Sequence, residues 1–109
     1  MVESNNAVVR KLAAKLGLRL DKLVSDTNVN VRLAVAEQQF GLEKLVDDEC
    51  NDVRLAVAKQ RFGLYQLAND SCPEVRKAVA KHGFSLHKLV NDSNWEVRKT
   101  ALQTEIKLN

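Results

Sequence analysis

A chain of 109 residues that is 45% hydrophobic and 28% charged has the make-up of a folded domain, which excludes global disorder. Aromatic residues are only 5%, while Ala, Val and Leu dominate, which favours close helix packing over a β-sandwich. The formal charge of +3 permits an anionic partner but falls short of a polybasic nucleic-acid tail. No apolar run is long enough for a signal peptide or a bilayer span, so the expectation is a cytoplasmic protein that does not engage a membrane.

Residues 1–8 read as the tail of a unit, a partial repeat or cap. From Val9 onward the dipeptide Val-Arg recurs at Val31, Val53, Val75 and Val97, always 22 residues apart. A fixed period of this length is the mark of a repeat architecture. Four whole units follow, 9–30, 31–52, 53–74 and 75–96, then a truncated unit, 97–109. The units 31–52 and 53–74 share 13 of 22 positions, and 9–30 is the most divergent whole unit.

Each unit predicts the same two elements. Asn28 and Asn94 are good N-caps, and Cys50 and Cys72 stand in the equivalent place. Pro73 falls at a first helical position, and Asp52, Glu74 and Glu96 lie in first turns, where the helix dipole favours them. Val31, Ala34 and Val35, like Val53, Ala56 and Val57, then form the i, i+3, i+4 stripe of an amphipathic helix of about three turns. These helices are expected to end near Gly41, Gly63 and Gly83, with Phe40, Phe62 and Phe84 in the core. A shorter apolar group follows, Leu42, Leu45 and Val46 or Leu64, Leu67 and Ala68, which fits one turn of α or 3₁₀ helix. Neither piece can bury its apolar face alone, whereas stacked units can. The fold expected is therefore an all-α solenoid of about five 22-residue repeats in a single domain, 1–109.

The recurring D-x-N-x-x-V-R-x-A-V-A followed by L-x-x-L-V resembles the leucine-rich repeat variant and related HEAT-like helical repeats, over nearly the whole chain. The resemblance implies a right-handed superhelix of α-helices alternating with shorter, often 3₁₀, helices, used as an adaptor or recognition surface. The unit is shorter than the commonest HEAT length, and the chain lacks the cysteine-rich iron–sulfur segment that some members carry.

The most conspicuous polar pattern is a ladder in which Asp26, Asp48, Asp70 and Asp92 precede Arg32, Arg54, Arg76 and Arg98 by six residues. Offered outward, the arginines would form a phosphate-binding row. One carboxylate per arginine argues instead for pairing within or between units that sets the stacking register. Arg10 has Ser4 where the others have Asp, and is expected to be the freest of the row. Two lysine rows recur, Lys22, Lys44 and Lys88 at one position and Lys15, Lys59 and Lys81 at another. They could track a nucleic-acid backbone or simply keep a solvent face soluble.

His82 and His87 are not on one helical face, Cys50 and Cys72 lack further ligands, and no nucleophile–base set or phosphate loop occurs. No enzyme activity, metal or cofactor is expected. Positions that vary between units are better candidates for binding: Glu43, Tyr65 and His87 at one, Trp95 at another, with Tyr65 and Trp95 the anchors. At the ends Leu12, Leu16, Leu102 and Ile106 replace smaller, polar or aromatic residues, which suits capping or, as the alternative, an end-to-end dimer. The expected function is a non-catalytic protein-interaction or scaffolding module. The alternative is a small nucleic-acid-binding protein that uses Lys15, Lys22, Lys44, Lys59, Lys81, Lys88 and Arg10.

Overall fold

The computed structural model describes residues 5–109, which form nine helices and no strand. Long helices are α1 (Ala7–Lys15), α3 (Val29–Glu37), α5 (Asn51–Lys59), α7 (Pro73–Lys81) and α9 (Trp95–Leu108). Between them lie four-residue α-helices: α2 (Leu20–Leu23), α4 (Leu42–Leu45), α6 (Leu64–Leu67) and α8 (Leu86–Leu89). Every long helix starts 22 residues after the one before, and so does every short one.

The starts follow the expected capping chemistry. Asn28 Oδ1 accepts from the N–H of Asn30 at 2.8 Å, and Asn94 Oδ1 from Glu96 and Val97 at 2.9 and 3.2 Å. Cys50 and Cys72 take the same extended backbone without a side-chain cap, and Pro73 occupies the first helical position.

The ends differ in part from expectation. The first four long helices stop at Lys15, Glu37, Lys59 and Lys81; α7 ends near Gly83 as expected, while α3 and α5 stop four residues short of Gly41 and Gly63. Two residues past each end, Gly17, Gln39, Arg61 and Gly83 adopt left-handed backbone. The following N–H then reaches five residues back, as from Phe40 to Val35 O at 3.4 Å and Phe84 to Val79 O at 3.3 Å, which is a Schellman closure. This turn carries Phe40, Phe62 and Phe84 off the helix, beyond its buried stripe. They are 38–39% exposed and do not belong to the core, contrary to the sequence reading.

Two positions further on comes a second left-handed residue, Arg19, Gly41, Gly63 or Ser85, which leads into the short helix. Here glycine answers to packing as well as to φ. A Cβ on Gly41 would lie 2.6 Å from Val24 Cγ2, and one on Gly63 2.7 Å from Val46 Cγ2. One unit later the residue is Ser85, and the position equivalent to Val24 and Val46 is Ala68, which has no γ-methyl. The short-helix C-cap of one unit thus sets what the next unit can place at this turn.

The long helices pack in chain order, α1 on α3, α3 on α5, α5 on α7 and α7 on α9. Each short helix packs against the long helices before and after it. The result is an elongated body of 48 × 23 × 19 Å. Its interior is Val31, Val53, Val75 and Val97 from the long helices against Leu23, Leu45, Leu67 and Leu89 from the short ones, all fully buried. Each such side chain contributes about 1.5–3 kcal/mol of burial. Small residues such as Ala13, Ala36, Ala58 and Ala80, with no exposed surface, let neighbouring helices approach closely.

The Val24–Gly41 contact gives a direct test. Gly41→Ala should cost about 2 kcal/mol or more, from φ strain and the methyl overlap together. In a Val24→Ala background the added cost should fall to about 1 kcal/mol, the backbone part alone. Urea denaturation of the four proteins in this double-mutant cycle measures the difference, and equal costs in both backgrounds would refute the steric coupling.

Candidate functional site

The Asp–Arg ladder joins the units. Arg32 donates through Nε to Asp48 Oδ2 at 2.8 Å and through Nη2 to Asp48 Oδ1 at 3.2 Å, a two-point fork. Its third arm, Nη1, donates to the backbone carbonyl of Asp26 at 2.7 Å. Arg54 repeats this with Asp70 and the Asp48 carbonyl, and Arg76 with Asp92 and the Asp70 carbonyl. Each carboxylate also accepts the N–H two residues on, Asn28, Cys50, Cys72 or Asn94, at 2.9 Å. The side-chain partner is therefore the Asp sixteen residues ahead, at the end of the same unit and just before the next long helix. The Asp six residues behind supplies only its carbonyl.

This corrects the reading of Arg10. It is not the freest arginine: its Nε lies 2.8 Å from Asp26 Oδ2, in the same fork. Within the ladder, the arginine without a carboxylate partner among the described residues is Arg98. It bonds the carbonyls of Asp92 and Ser93 at 2.8 and 3.1 Å and is exposed.

The four paired arginine and aspartate side chains are only 7–15% exposed. Among the described residues, every buried side-chain nitrogen and oxygen has a hydrogen-bond partner. For Asp26 and Asp92 burial pushes the carboxyl up. The hydrogen bonds from Arg10 and Arg76, the N–H groups of Asn28 and Asn94, and the nearby positive charges outweigh it, leaving both below the usual carboxylate range. Arg10, Arg32, Arg54 and Arg76 are held still more firmly protonated, chiefly by the hydrogen bond to the paired Asp. With its arginines consumed in this way, the ladder offers no guanidinium row to phosphates.

The lysines divide between two layers. Lys22 and Lys44 lie on α2 and α4, Lys88 on α8, whereas Lys15, Lys59 and Lys81 close the long helices α1, α5 and α7. No single face carries all six, as the nucleic-acid reading required. In the short-helix row, Lys44 donates to Ser25 Oγ and Lys88 to the Ala68 carbonyl at 3.1 Å, contacts that join successive units.

On the long-helix side the surface opens into two adjoining grooves. One, between α7 and α9, has a volume of about 320 Å³ and is lined by Lys77, Lys81, Trp95, Glu96, Lys99 and Lys107 among others. The other, between α5 and α7, shares Lys77 and Lys81 and adds Leu55, Lys59, Glu74 and His82. Lys77 and Glu96 form an ion pair at 3.4 Å, and Lys99 Nζ sits 5.7 Å from the centre of the Trp95 ring, a cation–π distance. Burial, with the positive charge of Arg61, holds the His82 imidazole below its ordinary range. Sequence reasoning missed Lys77, Lys99 and Lys107, although Lys77 and Lys99 stand 22 residues apart at one position of the unit.

The structure does not bring the two proposed anchors together. Tyr65, 79% exposed, lies on short helix α6 and meets Phe84 of the next unit edge to face at 6.3 Å. Glu43 and His87 are exposed at the same position of α4 and α8. Trp95, 60% exposed, opens α9 and belongs to the long-helix groove. The terminal apolar residues do not close the ends: Leu12, Leu16, Leu102 and Ile106 are 51–66% exposed. Helix α9, 14 residues long, packs on α7 and α8.

Among the described residues, no three of His, Cys, Asp and Glu gather to hold a metal, and no helix is long and apolar enough to cross a membrane. Cys50 and Cys72 are free thiols, and Asn51 Nδ2 lies 3.3 Å from Cys72 Sγ. No family model, curated protein or solved structure matches this chain.

The ladder separates two arginine substitutions that look alike in sequence. Arg54→Ala strands the buried Asp70 carboxylate and should cost about 3 kcal/mol or more, against less than about 1 kcal/mol for exposed Arg98→Ala. Urea midpoints of the two variants give the comparison. Asp26 and Asp92 bind a proton less readily folded than unfolded, so their contribution is whole above the ordinary carboxylate pKa of about 4 and disappears as pH falls through the lower folded values. A thermal midpoint tracked against pH should show this acid loss, and Asp92→Asn should flatten it.

Proposed function

We propose that this chain is a non-catalytic protein-interaction module, built as a right-handed α-solenoid of the leucine-rich variant or HEAT-like kind. The units 9–30, 31–52, 53–74 and 75–96 would be its whole repeats, flanked by the partial units 1–8 and 97–109. The 22-residue spacing of both helix types and the recurrence of one arginine fork in each whole unit support the repeat reading. A cytoplasmic location, and a monomer or an end-to-end dimer, are part of the same proposal.

The observation that carries the function is the exposure of Trp95 and Tyr65. Packing places the apolar residues of the repeat inside, yet these two aromatic side chains are 60% and 79% exposed at positions that vary between units. Large aromatic groups in such places anchor interfaces out of proportion to their number. The nucleic-acid alternative is less well supported, because its six lysines occupy two layers and its arginine is held in a fork.

Cross-linked capture with the wild-type chain, Tyr65→Ala and Trp95→Ala distinguishes the two. Partner proteins retained by the wild type should be lost or reduced in one of the variants, with helicity by circular dichroism unchanged. Labelled random DNA and RNA, titrated at low and near-physiological salt, should show no submicromolar binding. Tight binding that weakens steeply with salt would replace this proposal by the nucleic-acid reading.

A further inference from the structure

We infer that the trough formed by α5, α7 and α9 is a docking site for an acidic, apolar-bearing segment of a partner protein, with Trp95 as its hydrophobic contact. The inference rests on the interaction-module reading and specifies its surface and its ligand chemistry.

The charge balance of the molecule points to this surface. The two adjoining grooves are lined by five lysines, Lys59, Lys77, Lys81, Lys99 and Lys107, against two glutamates, Glu74 and Glu96. Five less two leaves +3, equal to the formal charge of the whole chain. Elsewhere the strongest charges neutralise one another in the ladder, where each of four arginines has its own aspartate.

The stack does not require lysine at these places. Lys77 and Lys99 share with Lys11 the position that holds Leu33 and Leu55 in α3 and α5, and Lys59 and Lys81 share with Lys15 the position that holds Glu37 in α3. The stack therefore tolerates neutral or acidic residues at these places. Trp95 likewise stands where α3, α5 and α7 have Val29, Asn51 and Pro73. A basic surface with one large aromatic side chain at its edge has thus been assembled at positions that stacking leaves free.

The mixture of groups selects the class of partner. Glu96 lies within the groove beside Lys77, and Glu74 within the adjoining one. A uniformly charged phosphate backbone would have to pass both carboxylates. A peptide can place carboxylates against Lys81 and Lys99 and a neutral residue beside Glu96. Leu55 meanwhile offers an aliphatic contact suited to an apolar side chain, with the flat Trp95 ring at the other end of the trough.

Trp95 is the only tryptophan in the chain, so its fluorescence reports occupancy of the trough without a label. The probes are a short synthetic peptide of Glu, Asp and Leu, its counterpart with Lys and Arg replacing the acids, a leucine-free acidic peptide and single-stranded oligo-dT. The acidic leucine-bearing peptide should shift Trp95 emission saturably to the blue, and the charge-inverted peptide should not. Loss of leucine, or the paired substitution Lys81→Glu with Lys99→Glu, should raise Kd by about tenfold or more, equivalent to about 1.4 kcal/mol. The control pair Lys22→Glu with Lys44→Glu, on the short-helix layer, should change Kd less than about twofold. Circular dichroism establishes that each variant remains helical.

No saturable response to the acidic peptide, equal response to its inverted counterpart, or indifference to the Lys81 and Lys99 reversals each overturns the proposal. Oligo-dT binding tighter than the peptide overturns it in favour of a nucleic-acid trough. Protein capture that depends on Tyr65 but not on Lys81 and Lys99 leaves the interaction module standing and removes only this site.

Discussion

Arg32, Arg54 and Arg76 are each fixed at three points: two on the carboxylate of the aspartate that precedes the next long helix, and one on a backbone carbonyl before their own helix. The aspartate in turn accepts the N–H two residues on, which ties the same carboxylate to the turn that starts the next long helix. Position, orientation and helix entry are consequently set by one group of hydrogen bonds, repeated from Arg10 to Asp92. A planar guanidinium suits this arrangement because its donors diverge in one plane, which a lysine ammonium cannot reproduce. Burial of a charge is costly unless it is paired and fully hydrogen-bonded, and both conditions are met along the row. The ladder and the buried valine and leucine rows recur with the same 22-residue period, so one register satisfies both.

That register explains the side-chain sizes inside. Alanines at the helix–helix contacts allow close approach, and the valine and leucine rows fill the space between long and short layers. The turn between layers is equally constrained. Gly41 and Gly63 pass against the valines that end the preceding short helices, whereas Ser85 occurs where that valine is replaced by Ala68. Neighbouring units are therefore not independent copies, and a change in one is matched by a change at a contact in the next.

The surface follows from what these constraints leave over. Charges needed for stacking are paired and buried, while the lysines of the α5–α7–α9 trough face solvent, with Lys77 partly offset by Glu96. The proposed docking function uses this division: a rigid interior that the repeat specifies and an outer face whose side chains can vary without cost to it. Tyr65 lies on the other layer against Phe84, so the two conspicuous aromatics serve different surfaces.

The sequence by itself determined the helical class, the 22-residue spacing of the elements, the Asn caps and the buried Val and Leu rows. These depend on local periodicity and capping, which act over a single turn or unit. Exposure of Tyr65 and Trp95 was also legible, because both interrupt the repeat. The partner of each arginine was not, since an aspartate lies six residues behind and another sixteen ahead, and only the stacking geometry decides between them. Arg10 was misjudged for that reason, its carboxylate lying forward at Asp26 while the comparison was made backward to Ser4. The phenylalanines recur as regularly as the core valines, but the left-handed turn before them redirects the chain, and periodicity alone does not report direction. The trough was likewise beyond reach, because Lys77, Lys81, Lys99 and Trp95 become neighbours only when α7 and α9 pack side by side. Local chemistry wrote the elements, and contacts between units decided which charges are neutralised inside and which remain for a partner.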